Sequence, residues 1–233
     1  MKPNTLIVSE VFYSIQGEGP TMGVPAVFLR LAGCNLLCES KTWRCDTIEV
    51  WQKGKATPFD EVFDETHLAA FKHNAHLVIT GGEPLLHQHA IVDFLTRIFS
   101  SPSFAPVIEI ETNGTIIPSE GIKRWVSKFN VSPKLANSGE IYERRVNEVA
   151  LRHFANMRYK SMFKFVVSKQ EDLLDIEDEF GFLPNGMIML MPAGDTRAKL
   201  NKIRPIVIDM CKASGFWYSE RLHIVAWNKK KGV

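Results

Sequence analysis

The sequence predicts an α/β protein organised around a parallel sheet, and three observations carry that prediction. Short apolar runs rich in β-branched residues alternate with longer segments of helical period, the pattern of successive βα units. The residues just after these runs are polar or glycine-rich, as expected where a site gathers at the carboxyl ends of parallel strands. A chain of 233 residues, 45% hydrophobic and 23% charged, is long enough for one substantial core, so one domain over residues 1–233 is expected.

In order along the chain, strands are expected at 24–31 (VPAVFLRL), 76–80 (HLVIT), 107–112 (VIEIET), 129–132 (FNVS), 162–167 (MFKFVV) and 187–191 (MIMLM), with a seventh at 221–226 (RLHIVA). Helical period places helices at 60–74, 84–100, 118–127, 170–180 and 197–214, and an amphipathic segment at 140–156. Period-two alternation puts Glu109 and Glu111 on one face of their strand and Ile108 with Ile110 on the other. The polar face is expected to line a cavity rather than a solvated surface. Lys164 is a charge inside a strand, facing either a cavity or a solvated edge.

Composition excludes some functions. The opening MKPNTLIVSEVF has no basic region followed by a sustained apolar run, and no stretch approaches a membrane span, so a cytoplasmic protein is expected. A net charge of +2 does not indicate direct binding of nucleic acid, and the basic cluster at residues 229–231 is short.

Chemistry concentrates at Cys34, Cys38 and Cys45, which follow the first expected strand within 12 residues. Three soft thiolates from one loop suit an iron-sulfur cluster, with one iron left open for an exogenous ligand. The alternatives are a zinc site, with His67, His73 or His76 as a fourth ligand, and a disulfide with a spare thiol, which the odd count disfavours. Cys211 lies apart in an expected helix, where an inert buried thiol is the usual outcome. The TGGEP segment at residues 80–84 has two glycines that let a ligand approach the backbone, and Pro84 suits the first turn of the next helix. The segments NGT, SPK and MPAGDT follow later strands in the same way.

The cysteine triplet after one strand and GGEP after the next resemble the radical S-adenosylmethionine superfamily. The opening SIQGEGPTMGVPAVFLRLAGCNLLC, the CDT at the third cysteine, TGGEP, ETNGT, VSPK and the tail NKKKGV resemble the 7-carboxy-7-deazaguanine synthase family across nearly the whole chain. That resemblance implies an incomplete TIM-like barrel of parallel βα units, a homodimer, and conversion of 6-carboxy-5,6,7,8-tetrahydropterin to 7-carboxy-7-deazaguanine with loss of ammonia. It implies a 4Fe-4S cluster on Cys34, Cys38 and Cys45, S-adenosylmethionine, Mg²⁺ at Thr47, and an electron donor such as a flavodoxin. Positions matching the S-adenosylmethionine site are Arg44, Asp46, Gly82, Ser132, Pro133, Lys134, Met191, Pro192 and Ala193. Those matching the pterin site are Ile15, Gln16, Gly17, Glu18, Arg30, Thr80 and Val233. The Arg30 guanidinium suits a bidentate grip on a substrate carboxylate.

The chain departs from the superfamily's CxxxCxxC spacing, with six residues between Cys38 and Cys45 and Arg44, not an aromatic, before the third cysteine. Lengthening such a loop costs only ~1 kcal/mol of closure entropy, little beside metal bonds. The sequence leaves two other readings open: an activase-type radical enzyme acting on a partner protein, against which the SIQGEG opening argues, and a zinc-stabilised binding module.

Overall fold

The computed structural model describes residues 4–40, 44–45, 47–230 and 232. Its elements in chain order are β1 (Thr5–Ile15), β2 (Pro25–Leu31), α1 (Ile48–Trp51), β3 (Lys55–Pro58), α2 (Glu65–Lys72), β4 (His76–Gly81), α3 (Gln88–Phe99), β5 (Ile108–Thr112), α4 (Glu120–Trp125), β6 (Lys128–Val131), α5 (Tyr142–Arg145), α6 (Glu148–Asn156), β7 (Ser161–Val167), α7 (Asp172–Phe180), β8 (Ile188–Pro192), α8 (Arg197–Ser214), β9 (Trp217–Tyr218) and α9 (Leu222–Trp227). The strands form one open sheet in the order β3-β1-β2-β4-β5-β6-β7-β8-β9. Pairing is parallel from β2 through β9, whereas β1 pairs antiparallel with both β2 and β3.

The alternation along each central strand divides the sheet into two faces. Leu77 and Ile79, Ile108 and Ile110, Phe129 and Val131, and Phe163 and Phe165 point outward into the main core, beneath Phe94 of α3, Phe154 of α6 and Phe180 of α7. The opposite positions, Thr80, Glu111, Asn130 and Lys164, line a cavity on the inner face. The expected polar face at Glu109 and Glu111 is therefore interior, and Lys164 is 5% exposed, not at a solvated edge.

Six expected strands are present with ends shifted by a residue or two, and the seventh is not. Residues 222–227 form α9, and the last strand is Trp217–Tyr218, parallel to β8. Gly215, at φ +74°, ends α8 in the left-handed conformation and turns the chain back to the sheet edge. The segment after β9 is then captured by the loop after β1, Leu222 N donating to Gly17 O at 2.8 Å. The expected helix at 140–156 is two helices, because Asn147 caps the second by accepting from Ala150 N at 3.1 Å. Helix α2 begins only at Glu65, where Asp64 accepts from His67 N. In 84–100 the first turn is 3₁₀ and α3 runs from Gln88 to Phe99. Strands β1 and β3 were not expected; β1 carries a bulge between Val8 and Glu10 that breaks its alternation.

The open side of this partial barrel is stopped by the loop after β1. Gln16 donates to Glu111 of β5, Thr21 donates to Glu109 of β5 at 2.6 Å, Glu18 pairs with Lys164 of β7, and Gly19 N donates to Ser219 Oγ beyond β9 at 2.8 Å. One short segment thus ties together strands that the sheet alone leaves apart.

Candidate active site

The carboxyl ends of β2, β4, β5, β6 and β8 open on one cavity of ≈ 1020 Å³, at the upper end of the range for small-molecule sites. The cavity is bordered by Cys34, Cys38 and Cys45, all free thiols, with Thr47 beside Cys45. Thr47 Oγ1 is 3.3 Å from Cys45 Sγ. Burial pushes the Cys34 thiol up against a hydrogen bond from Leu36 N, and the Cys38 thiol up to about 11 against the charge of Lys134. A positive metal centre supplies the charge that a buried thiolate needs.

The wide Cys38 to Cys45 spacing is an excursion, not an opening of the site. Cys45 N donates to Cys38 O at 2.9 Å and Glu39 bridges antiparallel to Arg44, so the chain returns to where it left. Arg44 lines the cavity, yet its guanidinium pairs with Glu39 at 2.9 Å and with Glu49. Residues 41–43 and Asp46, a position expected at the S-adenosylmethionine site, lie outside the described residues.

Neighbouring strand ends hold this loop through groups whose role the sequence did not reveal. Asn35 Nδ2 donates to Thr115 Oγ1 and Asn113 Nδ2 donates to Asn35 Oδ1, both at 2.8 Å. The NGT turn is held in its turn by Glu83, 1% exposed, which accepts from Asn113 N at 2.7 Å, Thr112 Oγ1 at 2.8 Å and Leu85 N at 3.0 Å. Burial raises the Glu83 carboxyl despite those bonds. The two glycines before it have a use beyond the one their sequence suggests. A Cβ on Gly81 would sit 2.1 Å from Leu31 O, and one on Gly82 2.2 Å from Gly33 O and 2.6 Å from Cys34 Cβ. Their bare backbones press against the cysteine loop itself, while both residues also border the cavity.

The remaining expected positions fall into two groups. Ser132, Lys134, Met191 and Ala193 border the cavity, and Lys134 Nζ donates to Ser132 O and Oγ at 3.0 and 3.1 Å. Pro133 and Pro192 lie within the same strand ends but do not line the cavity, and Gly17 packs against His223, which a Cβ would meet at 2.3 Å. Ile15, Gln16, Glu18, Arg30 and Thr80 line the cavity. Val233 lies outside the described residues, though Asn228, Lys229, Lys230 and Gly232 of the same tail border the cavity.

Charge around the cavity is organised in pairs. Arg30 Nε donates to Glu10 at 2.7 Å. Thr80 Oγ1 donates to Glu111 at 2.8 Å and Gln16 Nε2 to the same carboxylate at 3.2 Å. Glu18 pairs with Lys164 and, at 3.0 Å, with Arg221, and His223 stands 4.0 Å away. Burial alone would raise the Glu18 carboxyl, but Lys164, Arg221 and His223 outweigh it and hold the group well below the usual carboxylate range. Arg221, His223, Glu10 and Asn130 were not singled out from sequence. For Asn130 the signal was present, since it alternates with Phe129 and Val131 and so shares the face of Glu111.

The donor set fits a multi-iron cluster. Three soft thiolates from one loop border one cavity beside the Thr47 hydroxyl, the donor chemistry that an iron-sulfur cluster takes from cysteines at separate corners.

A family model described as a 4Fe-4S single cluster domain matches residues 15–115. The 7-carboxy-7-deazaguanine synthase of Halobacterium salinarum is 35% identical, the match covering 96% of this chain and 91% of that protein. The enzyme of the same name from Pyrobaculum aerophilum is 33% identical over 97% and 96%. The crystal structure of QueE from Escherichia coli superposes with a TM-score of 0.67 at 26% identity, covering 94% and 95% of the two chains. With relatives this similar over nearly their whole length, the open parallel sheet and the cysteine loop at its carboxyl edge are those of a shared fold: this chain belongs to the 7-carboxy-7-deazaguanine synthase family.

Proposed function

We propose that this protein converts 6-carboxy-5,6,7,8-tetrahydropterin to 7-carboxy-7-deazaguanine, with release of ammonia, by radical S-adenosylmethionine chemistry. The observation that carries the reading is one cavity bordered both by the three cysteines and by the paired charges of the strand interior. When bound, the 4Fe-4S cluster would supply an electron and S-adenosylmethionine the source of a hydrogen-abstracting radical.

The chain's own residues bind, orient and enclose. Cys34, Cys38 and Cys45 hold the cluster, and Thr47 offers a hydroxyl to Mg²⁺, which favours hard oxygen ligands. Gly82, the Ser132, Pro133 and Lys134 turn, and the Met191 to Ala193 stretch hold S-adenosylmethionine, with Arg44 and Asp46 flanking. Gln16, Glu18, Thr80 and Arg30 hold the pterin, Ile15 and Gly17 shape the loop that carries two of them, and the tail ending at Val233 covers it. Arg30 keeps its terminal nitrogens for the substrate carboxylate while Glu10 fixes its orientation through Nε. The loop across the open side keeps water from a reactive intermediate, which is the protein's main contribution to radical chemistry.

The enzyme works as a homodimer in the cytoplasm, takes its electron from a flavodoxin-like donor, and binds neither membrane nor nucleic acid directly. Among the described residues no helix is long and apolar enough to cross a membrane. The test is anaerobic incubation of reconstituted protein with the carboxypterin, S-adenosylmethionine, Mg²⁺ and a reductant. Mass spectrometry should find 7-carboxy-7-deazaguanine; S-adenosylmethionine cleavage without that product would refute the substrate.

A further inference from the structure

The inner face of the sheet carries a layer of polar side chains from successive strands: Thr80 on β4, Glu111 on β5, Asn130 on β6 and Lys164 on β7. Three of the four are satisfied within the protein, Thr80 and Glu111 by each other and Lys164 by Glu18. Asn130 is not. It is 2% exposed and lines the cavity, yet neither its amide nitrogen nor its amide oxygen has a hydrogen-bond partner among the described residues. Gly19 packs directly on it, since a Cβ there would lie 2.4 Å from Asn130 Nδ2. The loop that stops the barrel is thus shaped to accommodate a polar group that does nothing for the fold.

A buried donor and acceptor left together without partners destabilise the protein, and an apolar side chain of the same shape would serve stability better. A partner outside the fold is therefore required. Its chemistry follows from the rest of the layer. Glu111 and Glu18 are acceptor-only and Lys164 is donor-only, so they answer edges of a single kind. A carboxamide presents one donor and one acceptor side by side, matching a lactam edge in which a ring N–H adjoins a carbonyl.

We propose that Asn130 is a specificity-determining residue that pairs with the lactam edge of the substrate heterocycle. This rests on the pterin reading of the site, whose pyrimidinone ring carries such an edge.

The test uses reconstituted holoenzyme under anaerobic conditions and two near-isosteric variants. Asn130→Leu removes both polar groups, and Asn130→Asp keeps only acceptors. Measured are iron content, the dissociation constant for S-adenosylmethionine, the Michaelis constant for the carboxypterin, and the melting temperature with and without carboxypterin. The expected result for Asn130→Leu is a melting temperature raised in the absence of pterin, a pterin-induced rise that is lost, and a Michaelis constant at least tenfold higher. Iron content and the dissociation constant for S-adenosylmethionine stay at the wild-type values. Asn130→Asp should show the same tenfold change without the gain in melting temperature, so a failure of one variant to fold leaves the other to decide. A Michaelis constant within twofold of wild type in either folded variant overturns the proposal and leaves Asn130 with an internal water. A wild-type protein that binds S-adenosylmethionine but shows neither turnover nor a thermal shift with carboxypterin overturns the pterin reading, and this proposal with it.

Discussion

Gly82→Ala probes how the strand after the cysteine loop fixes that loop's position. The added methyl would lie 2.2 Å from Gly33 O and 2.6 Å from Cys34 Cβ, where real contacts of this kind stay above 3.0 Å. Neither neighbour is the end of a flexible side chain, so the backbone must part by about 1 Å, and forced separations of this size destabilise a packed site by about 1–3 kcal/mol. The displaced atoms include Cys34, a proposed cluster ligand, and a misplacement of about 1 Å can cost on the order of 100-fold in rate. Measured against wild type, the variant should hold less iron after anaerobic reconstitution, cleave S-adenosylmethionine about 100-fold more slowly, and lose about 1–3 kcal/mol in urea unfolding. Gly186→Ala is the control, since nothing lies within 4 Å of a Cβ there. Iron content and cleavage within threefold of wild type in Gly82→Ala would refute the steric coupling. Full iron with slow cleavage would instead locate the role of Gly82 in binding S-adenosylmethionine alone.

Three further outcomes follow from the site. Replacing Cys34, Cys38 or Cys45 with Ala should abolish S-adenosylmethionine cleavage, while Cys211→Ala, whose thiol is buried beside Trp217 O, should retain iron and activity; near-normal turnover in any of the first three contradicts the ligand set. Thr47→Ala should raise the Mg²⁺ concentration for half-maximal rate and leave iron content unchanged, and an unaltered Mg²⁺ dependence counts against the hydroxyl as a ligand. Because Lys164, Arg221 and His223 hold the folded Glu18 carboxyl below its unfolded value of 4.5, its contribution to stability is complete above that value and fades as pH falls further. Glu18→Gln should lose about 3 kcal/mol at pH 7 by stranding Lys164 and should then lose less than wild type on acidification below about pH 4.5; parallel urea-midpoint profiles for the two proteins would contradict this.

Much of the scaffold was legible because it is local. Six parallel strands announced themselves as short apolar runs, and the alternation at Glu109 and Glu111 correctly indicated an interior polar face. The cysteine loop was equally plain, since metal ligation leaves a compositional mark within a dozen residues. What was not legible depends on contacts distant in sequence. The loop after β1 is defined by partners at Glu111, Lys164 and Ser219, up to 200 residues away. The β-branched residues of 221–226 read as strand, but the sheet edge is taken by Trp217–Tyr218 and the segment is held by Gly17 and Glu18 of the loop after β1. The glycines of TGGEP suggested close approach by a ligand, and both border the cavity; that their missing side chains also make room for Leu31, Gly33 and Cys34 was not legible. In the same way NGT carries no visible reason to be where it is until Asn35 is found bonded to it.

The central claim is that one cavity brings a radical precursor on the cysteine loop together with a pterin on the strand interior. Isotope transfer between the two tests it most directly. 6-Carboxy-5,6,7,8-tetrahydropterin bearing deuterium at C6 should be incubated with reconstituted enzyme, S-adenosylmethionine, Mg²⁺ and reductant, and the 5′-deoxyadenosine then analysed by mass. The account predicts deuterium in the 5′-deoxyadenosine together with 7-carboxy-7-deazaguanine as product; 5′-deoxyadenosine formed without deuterium while the deazaguanine accumulates would contradict it.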